Sequence, residues 1–182
     1  MRWIVAVLLV AGCAASKPKT VAATSTPAYA SRQEQAAVLF DAASHGDRLR
    51  LKLLVDWSRY RLTWAWARAM ADHAEATTGL SQVEAEPSPS AAYMDMAVGE
   101  LQSKLAAVAS GPQPPHPEPG VANALLAELR GQPPLSKYPA LPRLWMLTQD
   151  ALDGADEITF RGVGSVTLLF VGDRLAGVLD AR

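Results

Sequence analysis

Apolar positions recur at helical spacing through most of this chain and change to alternation near its end. Ser31-Arg32-Gln33-Glu34 has the form of a capping box. A helix is predicted from it to about His45, with Ala36, Ala37, Leu39, Phe40 and Ala43 apolar. Gly46 suits a left-handed stop, and Asp47 can cap the next helix at once. That helix is predicted over 48–76. Leu53, Trp57, Tyr60, Trp64, Ala67, Ala71 and Ala74 make one stripe, and no Pro or Gly interrupts it. About 28 residues at helical rise give a rod of roughly 42 Å. Residues 77–90 turn polar and read as a loop. A helix over 91–109 follows, with Met94, Ala97, Val98, Leu101, Leu105 and Val108 on one face. Five of the ten residues 111–120 are proline, which predicts an extended spacer. A short helix over 121–130 and a last one over 143–152, with Pro142 at its first position, complete the helical part.

After Gly154 the period becomes two. Strands are predicted over 157–161, 165–171 and 175–180, separated by Gly162-Val163-Gly164 and Gly172-Asp173 turns. Val166 to Val171 is apolar on both faces, so this strand should be central and covered. The fold class is α+β: a mainly helical body with a small C-terminal three-stranded antiparallel meander.

Composition supports a packed domain. The chain has 182 residues, 49% of them hydrophobic and 19% charged, which suits one core and excludes a wholly disordered chain. A formal net charge of −1 gives no bulk attraction to nucleic acid. The one cysteine, Cys13, excludes an intrachain disulfide and paired-cysteine zinc sites.

Around Cys13 the sequence carries an address. Arg2 is followed by the apolar run Trp3 to Val10 and the small residues Ala11 and Gly12. The run is too short to span a bilayer, which needs about 20 residues, and has the layout of a secretory signal. Leu9-Val10-Ala11-Gly12-Cys13 resembles the lipobox of bacterial lipoproteins. The resemblance implies cleavage between Gly12 and Cys13, a diacylglycerol on the Cys13 thiol and acylation of the new N-terminus. Several buried acyl chains anchor stably where one does not. Ala14 is not the aspartate that commonly retains such proteins in the inner membrane, so the resemblance points to the outer membrane, facing the periplasm. Residues 14–30, rich in Ala, Ser, Thr, Lys and Pro, read as a flexible tether reaching roughly 20–25 Å. The domain expectation is a signal peptide over 1–12, an acylated tether over 13–30 and one α+β domain over 31–182.

The body carries little that reads as chemistry. Ala42-Ala43-Ser44-His45-Gly46-Asp47 with Lys52-Leu53-Leu54-Val55-Asp56 resembles the hairpin of one ankyrin repeat, but no second copy follows, so a generic helix hairpin is expected. Arg48, Arg50, Lys52, Arg59, Arg61 and Arg68 outnumber Asp47 and Asp56 in a segment that also holds Trp57, Trp64 and Trp66. Trp57 and Trp64 lie on the apolar stripe, and Trp66 lies off it. Arg59, Arg61, Trp66 and Arg68 are therefore the candidate surface for a partner or ligand. No nucleophile elbow, phosphate loop or metal-ligand motif occurs, and no cofactor is implied. His73 with Asp72 and Glu75 does not share one helical face. Three functions are carried forward. The first is a non-catalytic envelope lipoprotein that binds a partner protein. The second is a lipid or small-molecule binding module with a Trp-lined pocket. The third is an envelope hydrolase.

Overall fold

The computed structural model describes residues 32–86 and 88–180. The signal segment, Cys13, the tether and Ser31 lie outside the described residues. The helices are α1 (Arg32–Ser44), α2 (Arg48–Leu54), α3 (Trp57–Ala71), α4 (Glu75–Ala85), α5 (Ala91–Ala109), α6 (Ala124–Leu129) and α7 (Ala140–Ala151). The strands are β1 (His116–Pro117), β2 (Asp156–Arg161), β3 (Ser165–Val171) and β4 (Arg174–Asp180). The α+β class is as expected, with the predicted strands present within a residue or so of their expected ends.

The first turn follows the sequence reading closely. Gly46 has φ +71°, its N–H donates to the Ala43 carbonyl, and Asp47 N–H donates to the Ala42 carbonyl. These two bonds close a Schellman motif. The Asp47 carboxylate then accepts from Arg50 N–H at 3.0 Å and caps α2.

The long rod predicted over 48–76 is instead three helices. Val55 and Asp56 are extended: Val55 makes a parallel bridge to Leu175, and Asp56 N–H donates to the Leu175 carbonyl at 2.9 Å. The Asp56 carboxylate caps α3 by accepting from Arg59 N–H. Asp72 ends α3 in an extended conformation and accepts from Ala74 N–H at 3.0 Å, turning the chain into α4. α4 runs through much of the segment read as a loop. Its Gly79 lies where a Cβ would come within 3.2 Å of Ala65 Cβ, so the missing side chain permits a close crossing of α3. α5 matches the expected 91–109, while α6 is shorter than expected and α7 begins three residues earlier.

The sheet is antiparallel throughout, in the order β1-β2-β3-β4. It thus has four strands where the meander predicted three. The fourth comes from the proline-rich segment: His116 pairs with Arg161, Pro117 with Phe160, and Glu118 N–H donates to the Thr159 carbonyl. Proline is tolerated there because β1 is an edge strand.

The sheet lies between two helical layers. Phe160, Val166, Leu168, Phe170 and Leu175 pack on α1, α2, α5 and the start of α3. Leu169, Ala176 and Leu179 pack on the rest of α3 with α4, α6 and α7. β3 is buried from Val166 to Phe170, the central covered strand that its double-sided apolar pattern predicts. α3 passes from one layer to the other over β4, and a β-bulge accommodates it. Leu169 pairs with Gly177 and Phe170 with Leu175, which leaves Ala176 as the extra residue. The Ala176 carbonyl accepts from the Thr63 hydroxyl at 3.0 Å, and a Cβ on Gly177 would run into the Thr63 side chain. Near the other end of β4, the buried Asn123 caps α6 and donates to Thr167 Oγ1 and the Asp180 carbonyl.

Candidate binding cavity

The crossing of α3 turns its side chains through the molecule in an order the stripe did not give. Trp57 and Tyr60 are buried in the first layer, and Ala65, Trp66 and Ala69 in the second. Trp66 is 1% exposed, the reverse of the exposed aromatic expected from the sequence. The break at Val55-Asp56 resets the helical phase, so the stripe drawn through Leu53 does not continue along α3. Leu53 is itself 53% exposed. Trp64, placed on the core stripe, is only half-buried and stands at the surface between α3 and α5.

The four residues of the predicted basic surface are not brought together. Arg59 donates from Nε to the Ala151 carbonyl at 2.8 Å and pairs with Asp56, tying α3 to the end of α7. Arg68 lies over the Trp64 ring, 4.9 Å from its centroid, and pairs with Glu75 at 3.6 Å. Trp66 belongs to the core. Arg61 is buried and lines a cavity.

That cavity, of about 720 Å³, lies between α3, α4 and α5. Arg61 and Trp64 line it from α3, Ser81, Gln82 and Ala85 from α4, and Ala92, Tyr93 and Met96 from α5. Helical spacing places each group: Arg61 and Trp64 are three apart, as are Tyr93 and Met96, so each pair shares a face. Glu100, one turn beyond Met96, accepts from Trp64 Nε1–H at 3.3 Å and holds the indole plane. On the other side of Trp64 a smaller cavity of about 260 Å³ is bordered by Arg68, Lys104 and Asp180, the last two paired at 2.8 Å.

Arg61 is the unusual residue of the site. It is 6% exposed. Its Nη2 donates to the carbonyls of Val83, at 3.3 Å, and Glu86, so it caps the C-terminal end of α4. Its Nε is buried with no hydrogen-bond partner among the described residues. None of the ion pairs among the described residues includes it. Tyr93 faces the same space. Burial pushes its phenol up to about 12, against the pull of the Arg61 charge and with the help of Glu100. Burial raises the phenol of Tyr60 further still, with Glu100 and Tyr93 adding to the effect.

Sequence reasoning named Arg61 and a Trp-lined pocket but missed the α4 and α5 side chains beside Trp64. Tyr93 lies half-buried at the edge of the buried face of α5, and Met96 lies off it, 57% exposed. Ser81 and Gln82 lie in the segment read as a loop. Apolar side chains left outside a helix's buried face were the available signal. Among the described residues no cluster of His, Cys, Asp or Glu is arranged to hold a metal. No described helix is long and apolar enough to cross a membrane. No protein-family model, curated protein or solved structure matches the chain.

Proposed function

We propose that this chain is a non-catalytic binding protein of the bacterial envelope, tethered by lipid at Cys13 to the outer membrane, and that its ligand is a small molecule whose apolar part is held between α3, α4 and α5. The observation that carries the ligand reading is the cavity of about 720 Å³, walled by Trp64, Tyr93, Met96, Ala85 and Ala92. Pockets for small ligands run from about 300 to 1,000 Å³, with mostly apolar walls and a few placed polar groups. The tether reading rests on the lipobox resemblance. The tether leads into α1, where Arg32 pairs with Asp156 at 2.6 Å beside the turn at Gly172.

The partner-protein reading draws on Leu49 and Leu53, exposed one turn apart on α2. Two leucines fall far short of the roughly 1,000 Å² that a stable interface needs, so the cavity is the better-supported site.

Two experiments test the proposal. Cys13→Ser should move the full chain out of the detergent phase in a phase-partition assay; continued partition with detergent through the N-terminus would end the lipid-anchor reading. For the cavity, the full chain is labelled with methyl-¹³C methionine and placed in lipid nanodiscs, with Met96→Leu identifying the Met96 resonance. Dodecanol should shift that resonance. Ala92→Trp, which fills the cavity from α5, should abolish the shift while leaving the thermal midpoint near wild type. An unmoved Met96 resonance would remove the cavity as a ligand site.

A further inference from the structure

We infer that the ligand is a single-chain anionic amphipath, its acidic head on Arg61 and its chain along Trp64, Tyr93 and Met96. This rests on the cavity being the ligand site and adds the class of molecule that fills it. A guanidinium carries five N–H donors and keeps its proton in proteins. The Arg61 charge is therefore permanent, although the residue is 6% exposed. A buried charge needs a counter-charge. The carbonyls of Val83 and Glu86 offer only the end of the α4 dipole, worth about half an elementary charge. Two hydrogen bonds leave most of the guanidinium donors over, and Nε has no partner among the described residues. A carboxylate or phosphate head seated in the cavity that Arg61 lines supplies the counter-charge. A cationic head would meet Arg61 as a like charge.

The walls select the rest of the molecule. Met96 is 57% exposed and the Tyr93 ring is half-buried, so a chain laid along them takes apolar surface out of water. Trp64 adds a flat face, fixed by its bond to Glu100 on one side and by the Arg68 guanidinium on the other. Ser81, Gln82 and Ser90 give the lining its neutral polar groups, and the exposed Glu86 also borders it.

The test compares heads on one chain length, read at the Met96 methyl resonance of the full chain in nanodiscs, with empty discs as the blank. Dodecanoate and dodecyl phosphate should half-saturate the shift at least about tenfold lower than dodecanol, and dodecylammonium should be weakest. The order of the first two identifies a carboxylate or a phosphate source. Arg61→Met should bring both anions to the level of dodecanol, and Arg61→Lys should keep part of their advantage. Equal half-saturation by dodecanol and dodecanoate in the wild type would overturn the anionic head while leaving the cavity a ligand site. No shift with any of the four would overturn both. Arg61 also caps α4, so if Arg61→Met does not fold, the wild-type ranking and Arg61→Lys decide.

Discussion

Arg61 and Gly177 lie at opposite extremes of side-chain size, and α3 meets both. Arg61 spends Nη2 on the end of α4 and lines the cavity. Gly177 presents nothing, and α3 can cross the sheet there because of it. Gly177→Ala should therefore cost about 1–3 kcal/mol, the usual range for overpacking a closed core. The nearest atom is Thr63 Cγ2, at the far end of a short, branched side chain on a packed helix. Thr63→Ser removes that atom and should return part of the loss in the double variant. Urea midpoints of the two single variants and the double variant check this; additive losses would show that the two side chains do not meet.

At the scale of elements, capping residues decide where α2, α3 and α4 begin. Asp56 accepts from Arg59 N–H and pairs with the Arg59 side chain. Asp56→Ala should cost about 1 kcal/mol, the ordinary worth of an N-cap, and Asp56→Asn should keep most of that because its side-chain oxygen can still accept. Equal losses in the two variants, compared by chemical denaturation, would assign the effect to the charge and not to the cap. The same residues mark what was legible in the sequence. Ser31 aside, the α1 and α5 periods, the Gly46-Asp47 turn and the three long strands were readable because each depends on neighbours close in the chain. The division of residues 48–76 was not, because Val55 is extended through its pairing with Leu175, more than a hundred positions away. Asp56 counted only as a charge and Asp72 only beside His73, because an apolar stripe free of Pro and Gly ran past both. That error placed Trp66 outside and Trp64 inside. It also scattered the candidate site, since α4 and α5 wall the cavity together with α3.

For the whole molecule, the sheet divides the core in two, and Tyr93, packed on the first layer that holds Tyr60, lines the cavity. Tyr60 stacks edge-on with Trp57 at 5.4 Å, and Tyr93 packs against the same apolar cluster. Both phenols hold their protons more tightly when folded than the ordinary value of 10.0. Below pH 10 both states are protonated at these sites, and their contribution to stability is fully present. Above it the unfolded chain releases protons that the folded chain retains, so the unfolded state binds fewer protons and stability falls as pH rises. For Tyr93 the window runs from about pH 10 to about 12, and Tyr60 extends it upward. Lysines titrate in the same range, so the wild-type curve alone does not isolate the tyrosines. Tyr93→Phe removes one phenol and leaves the lysines in place. Denaturation midpoints taken stepwise across this window should fall less steeply for Tyr93→Phe than for wild type. Parallel curves would mean that Tyr93 is no more buried in the folded protein than in the unfolded chain, and the wall it gives the cavity would open to water.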